Sequence, residues 1–353
     1  MTGHYEPVEE ISNILDEYQE KTGIHIPIHV DAASGGFIAP FTDARAGGAK
    51  WNFELPRVVS INASGHKYGL VYPGVGWVVW RDESYLPESL VFSLDYLGGQ
   101  EKSFTLNFSR PGAQVIVQYY NLIHLGFAGY REVMENCLRN ARLLANSLEA
   151  MSWFTVVSEI HCRVPEAPSA KKTTEDSGAS SGIGAAGLAG SVTAKLADVS
   201  REVGAQLSTT ALVSEETSAH FVPGLPIVAF RLCDEFKRQF PHIQQSTVSF
   251  MMRAKHWIIP NYKLPPNEQD TEIMRIVIRE NMTYDIMDRL LSDISEVMES
   301  LMDRDEVDLS LLQQKRKKVE LKDEEAKKSE NFSKRVESET RKLVGDNLHK
   351  SVC

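Results

Sequence analysis

A chain of 353 residues, at roughly 100–200 residues per domain, has room for about two domains and a sizeable buried core. Its hydrophobic (42%) and charged (24%) fractions are those of an ordinary globular protein, and acidic residues outnumber basic ones by ten, which argues against a general nucleic-acid binder with its basic footprint. No stretch approaches the ~18–20 apolar residues of a membrane span, Met1–Glu6 lacks a basic-then-apolar leader, and Cys137, Cys162, Cys233 and Cys353 show no paired spacing, so the expectation is a cytoplasmic protein with reduced thiols and no membrane partner.

Val8, Ile11, Leu15 and Tyr18 recur at helical spacing, with Gly23 as a stop. Ile24, Ile26, Ile28 and Val30 alternate, which predicts a strand ending at Asp31, followed by a Gly- and Pro-containing loop to Pro40. Val58–Asn62 and Gly76–Trp80 read as two further strands, the first running into Ala63-Ser64-Gly65-His66-Lys67. This rhythm suggests an α/β layer with functional groups at strand ends. From Gly112 the pattern is helical for nearly forty residues, with a break near Gly126–Gly129. Later, Ile227–Leu232 and Ile273–Ile278 read as strands, and Ser246–His256 and Tyr284–Leu301 as helices, the look of a smaller α+β domain.

Two segments stand outside these patterns. In Ser177–Ala194, 15 of 18 residues are Ala, Gly, Ser or Thr, too little apolar surface to offset ordering entropy, which predicts a flexible insertion. From Arg304 to Cys353, 24 of 50 residues are charged with signs mixed, which predicts a solvated helix or a disordered tail. With no Trp, one Phe (Phe332) and one basic block (Lys315–Lys318), the tail is not expected to bind calmodulin or membrane.

Three features carry chemistry: Asp31 at a strand end, Lys67 in a Gly-flanked turn 36 positions later, and Arg275 in an apolar strand of the later region. Each has a plain structural reading: a turn-forming Asp, a solvated Lys, a structural His66, an Arg275 that snorkels or pairs with Glu280. His25 and His29 alternate on one strand but lack a third metal ligand, so no metal is expected. Together, however, they supply what a pyridoxal phosphate site requires. A lysine amine takes the aldehyde, and a carboxylate keeps the pyridine nitrogen protonated. Ser64 and His66 donate to phosphate, and an arginine fork holds a substrate carboxylate.

The runs His29-Val30-Asp31-Ala32-Ala33-Ser34-Gly35-Gly36-Phe37, Leu55-Pro56-Arg57-Val58, Ser64-Gly65-His66-Lys67-Tyr68-Gly69, Gly76–Arg81, Asp95–Gln100 and Asn107–Pro111 resemble glutamate decarboxylases of the bacterial, plant and fungal type. The resemblance runs from Thr2 to about Leu301. It implies an aspartate aminotransferase-like, PLP-dependent transferase fold. Residues 1–125 would be the later part of the large PLP-binding domain, 126–303 a C-terminal α+β small domain with an insertion at about 165–200, and 304–353 a charged tail. It implies α-decarboxylation of L-glutamate to 4-aminobutyrate and CO2. By the same match Lys67 is the Schiff-base lysine, Asp31 the pyridinium partner and Ala33 a residue packed on the ring. Ser64 and His66 match phosphate contacts, and Ser109 a phosphate contact made across a dimer interface. Tyr96 falls in a mobile loop reaching the neighbouring subunit's site, and Arg275 matches the α-carboxylate arginine. A homodimer or higher homo-oligomer follows.

The family's long N-terminal portion, which carries the second phosphate loop and the wall that reads the substrate side chain, has no counterpart here. The expectation is therefore a fragment or short form that binds PLP weakly and has little activity alone. The alternative is a truncated, non-catalytic homologue that dimerises with and modulates a full-length decarboxylase.

Overall fold

The structure, a computed structural model, describes residues 1–42, 50–96, 98–105, 110–164 and 217–303, the side chains of Tyr96 and Glu101 excepted. The Ala/Gly/Ser-rich insertion, the charged tail and Ser109 lie outside the described residues. Met1–Met298 form one compact unit; of a second, Glu299–Cys353, only the end of a helix is described.

Helix α1 spans Val8–Thr22, with Glu9 and Glu10 in its first turn and Lys21 in its last, signs that suit the helix dipole. Gly23 ends it in the left-handed conformation (φ 76°), its N–H closing on the Gln19 carbonyl at 2.7 Å. The strand expected from Ile24 starts only at Ile28. Pro27 has no N–H for a ladder, Ile24 and Ile26 are exposed, and the first bond is Ile28 N–H to the Arg57 carbonyl (2.7 Å).

Strand β1 (Ile28–Asp31) pairs in parallel with β2 (Val58–Ser64), which pairs antiparallel with β3 (Gly76–Trp80). Because β1 and β2 run the same way, their carboxyl ends share an edge, where Asp31 lies opposite Asn62. Between them come the short helix α2 (Ala39–Thr42) and a buried Arg57, whose guanidinium ties Asp16 and Gln19 of α1 to the Ile26 carbonyl. Strands β4 (Phe92–Tyr96) and β5 (Gly99–Ser103) form a separate hairpin.

Helix α3 (Ala113–Ala150) bends at Gly126, whose φ of 57° and ψ of −165° suit glycine alone. Beyond the bend Tyr130, Met134 and Leu138 recur at helical spacing and pack with Phe37, Ile38 and Tyr68 into one apolar cluster. Burial of such a side chain is worth about 1.5–3 kcal/mol.

The later region is a four-stranded antiparallel sheet, ordered β6 (Phe154–Val156), β7 (Ile227–Leu232), β9 (Glu272–Val277), β8 (Asn261–Lys263). Helices α4 (Asp234–Gln239), α5 (Gln245–Ala254) and α6 (Tyr284–Met302) accompany it. Asn140 of α3 donates to the Met282 carbonyl at 2.8 Å, joining this region to the long helix.

Candidate active site

The edge formed by the carboxyl ends of β1 and β2 collects five of the eight residues singled out or implied above. Asp31 closes β1, and the chain folds back at once: Ala33 N–H donates to Asp31 Oδ1 (3.1 Å) and Gly36 N–H to the Ala32 carbonyl (2.7 Å). Ser64 N–H donates to the Ala33 carbonyl at 3.1 Å, stitching this fold-back to the end of β2. Gly36 is required by packing, since a Cβ there would lie 2.7 Å from the Cβ of Ala63. The Ala33 N–H, then the Asn62 amide, hold the Asp31 carboxyl below its ordinary range against the penalty of burial, with the charges of Lys67 and His29 adding to the lowering. Asp31 is therefore an ionised carboxylate throughout the neutral range.

Lys67 sits in the turn that follows. Its N–H donates to the Ser64 carbonyl (3.2 Å) and Val71 N–H to the Gly65 carbonyl (3.3 Å). The turn is so tight that a Cβ on Gly69 would meet the Gly65 carbonyl oxygen at 2.5 Å. Its far side is held by α3. Gln118 Nε2 and the Tyr130 hydroxyl both donate to the Gly69 carbonyl at 3.0 Å, and Asn121 Nδ2 donates to the Leu70 carbonyl at 2.9 Å. Lys67 Nζ, partly buried, donates to Ser34 Oγ at 3.3 Å. His66 Nδ1 lies 3.1 Å from the Val75 carbonyl; a carbonyl only accepts, so Nδ1 carries the proton, and Nε2 makes no hydrogen bond among the described residues.

The turn is also tied to the later sheet. The buried Tyr68 hydroxyl donates to the Ile278 carbonyl at 3.1 Å, and burial, with Cys137 adding, pushes its pKa up. Arg279 Nη2 reaches the Lys67 carbonyl at 3.4 Å. Arg275, on β9 opposite Ala229, lies near enough to influence Tyr68. Its guanidinium stands 5.9 Å from the Tyr262 ring centroid and makes no hydrogen bond or ion pair among the described residues, its Nε being buried without a partner. The pairing of Glu280 falls to Arg279 (3.3 Å), not to Arg275. His29 Nδ1 meets Ser60 Oγ (2.7 Å) and His25 Nδ1 meets Gln19 Oε1 (3.1 Å), so both rings are engaged in the fold.

Asp31, Ala33, Ser64, His66 and Lys67 are thus brought together, while Arg275 stands on β9 of the later sheet. Tyr96 ends β4, its side chain outside the description. Ser34, Gln118, Asn121, Tyr130 and Arg279 were not singled out from sequence. Only Ser34 lies inside a recognised motif; the others act across long sequence separations, with no local signal.

Residues 1–164 match the pyridoxal-dependent decarboxylase conserved domain. The glutamate decarboxylase of Saccharomyces cerevisiae is 38% identical over 317 residues, covering 85% of this chain and 48% of that protein. That of Petunia hybrida is 38% identical over 301 residues, covering 85% and 46%. The solved structure of the Lactobacillus brevis glutamate decarboxylase superposes with a TM-score of 0.63 at 33% identity, covering 87% of this chain and 54% of that one. The chain spans about half the length of the relatives it matches. Its architecture is the aspartate aminotransferase-like fold expected from the sequence motifs. Residues 1–164 thus match the pyridoxal-dependent decarboxylase family, and over 85% of its length the chain is similar to part of the glutamate decarboxylases.

Proposed function

We propose that this chain carries the lysine-bearing side of a pyridoxal 5'-phosphate site that decarboxylates L-glutamate to 4-aminobutyrate and CO2. The observation that carries the reading is the donor set at the β1/β2 edge, a carboxylate kept ionised beside a primary amine and an imidazole, with the Arg275 guanidinium on β9 making no hydrogen bond or ion pair among the described residues. Those groups fit the cofactor. Asp31 would hold the ring nitrogen, Lys67 the carbonyl, Ser64 and His66 the phosphate, and Ala33 would pack on the ring face. Ser109 is assigned to phosphate, and Tyr96 to a mobile loop over the site, by resemblance.

When bound, the cofactor supplies a carbonyl for the substrate amine and a cationic ring that accepts the electron pair left behind by CO2. Asp31 would keep that ring cationic, because a carboxylate ionised in the neutral range retains a hydrogen-bonded N–H. Arg275, with no hydrogen bond or ion pair among the described residues, would offer its guanidinium fork to a substrate carboxylate. Lys67 would supply the amine that holds the cofactor's carbonyl. The glutamate specificity rests on the relatives' names.

The apolar residues exposed on the first half of α3 support a homodimer or higher homo-oligomer. Gly126 supports a boundary between the later part of a large domain (1–125) and a small domain (126–303). Free thiols at Cys137, Cys162 and Cys233 support a cytoplasmic setting.

The test is to incubate the chain with pyridoxal 5'-phosphate, reduce with borohydride, map the adduct by peptide mass, and follow release of labelled CO2 from glutamate. The expected result is an adduct concentrated on Lys67, lost in Lys67→Ala and weakened in Asp31→Asn. An adduct spread evenly over surface lysines would refute the site. An adduct on Lys67 with no CO2 release would instead favour a non-catalytic homologue that pairs with a longer decarboxylase.

A further inference from the structure

We propose that Ser34 is a positioning residue that holds the Lys67 amine whenever that amine is not covalently engaged, which rests on reading Lys67 as the cofactor lysine. Among the described residues, Ser34 Oγ is the one hydrogen-bond partner of Lys67 Nζ. The two side chains have very different freedom. Lys67 Nζ ends a chain of four rotatable bonds. Ser34 has one short rotor on a platform fixed by the Ala33-to-Asp31, Gly36-to-Ala32, Ile38-to-Gly35 and Ser64-to-Ala33 bonds, with Gly36 packed on Ala63. The hydroxyl therefore sets where the amine rests.

The alternative resting place is the Asp31 carboxylate, close enough for Lys67's charge to act on it. An amine that settled there would occupy the carboxylate that the ring nitrogen needs. Held by Ser34, Lys67 gives up one N–H to a neutral acceptor and leaves Asp31 free. Asp31 and Ser34 lie three residues apart in one rigid fold-back, so ring-nitrogen partner and amine holder keep a fixed separation. The serine places an orienting group at the lysine and is not itself a reacting group.

The experiment is a time course of pyridoxal 5'-phosphate adduct formation on the full chain. It is quenched with borohydride and quantified by peptide mass at Lys67 and, as internal reference, at exposed Lys237. Loss of one such hydrogen bond is expected to slow Lys67 in Ser34→Ala by about 3–10-fold, with Lys237 unchanged. Ser34→Thr, which keeps the hydroxyl, should recover the wild-type rate to within about twofold, the size of the ordinary context effect on one hydrogen bond. Coincident melting curves for all three proteins would exclude a folding effect. An unchanged Lys67 rate in Ser34→Ala, or a Ser34→Thr protein as slow as Ser34→Ala, overturns the role of Ser34 and leaves the cofactor reading intact. A wild-type chain that labels Lys67 no faster than Lys237 overturns the cofactor reading and this role with it.

Discussion

The two halves of α3 both carry many apolar residues and behave in opposite ways. After Gly126, Tyr130, Met134, Cys137, Leu138, Ala141, Leu144, Ala145 and Leu148 are buried against the sheets and their connecting loops. Before it, Ile116, Tyr119, Tyr120 and Ile123 are 69, 65, 60 and 65% exposed, although the inward Gln118 and Asn121 grip the lysine turn. Apolar content at helical spacing therefore tells that a face wants cover, not what covers it. The first half has the lysine turn on one side and an uncovered apolar face on the other. The second half is core.

The widest contrast is expected at Cys137. Burial first, with nearby Glu280 adding, pushes its thiol from 9.0 up to about 12. At pH 8 this leaves its thiolate roughly a thousandfold scarcer than an ordinary thiol's, each pKa unit being a factor of ten. Iodoacetamide should therefore modify Cys137 only through opening of the second half of α3, and freely in denaturant, as peptide mass would report. The linkage runs one way. Below pH 9 the thiol is protonated in both states and costs nothing. Between about 9 and 12 only the unfolded state ionises, so stability falls as pH rises, by up to about 1.4 kcal/mol per unit. Cys137→Ala should flatten that part of the pH–stability curve. Rapid native-state alkylation would mean that the second half is not closed core.

Leu144→Ala comes next, since a fully buried leucine leaves a cavity costing about 2–5 kcal/mol in a denaturant melt. Gly126→Ala should follow at about 1–3 kcal/mol, and purely from the backbone. Nothing lies within 4 Å of the added Cβ, so the cost is the conformation alone. A neutral Gly126→Ala would mean that the bend relaxes into one straight helix, erasing the division between the halves.

These particulars mark what was legible in the sequence. Asp31, Lys67 and the glycines around them were readable because strand ends and Gly turns are local events, and the bend at Gly126 because glycine interrupts a periodic run. The strand before Asp31 was read four residues too long, since alternation from Ile24 speaks of side chains and not of Pro27's missing donor. The β4/β5 hairpin went unread because Ser93–Tyr96 and Gln100–Ser103 are largely polar, and β6 and β8 are too short to show a period. Periodicity found α1, yet Ile11, Ile14 and Tyr18 are exposed, so its apolar stripe is not its covered face. Gln118 and Tyr130 grip Gly69 from 49 and 61 residues away, a relation that only folding creates.

The smallest stability effect is expected on the exposed half. With its outward face in solvent, Ile116→Ser with Ile123→Ser should shift the dilute-solution melt by about 0.5 kcal/mol or less per site, the usual scale for surface changes. The same pair should act where burial occurs only between molecules. Each isoleucine taken out of water is worth about 1.5–3 kcal/mol, so two lost from each side of an interface weaken association by orders of magnitude. Sedimentation across a concentration series reads this as a shift toward monomer in the double variant while wild type associates. A melt lowered by ~2 kcal/mol or more at high dilution would mean that the face is buried within the chain itself in solution, and the contrast between the halves would vanish.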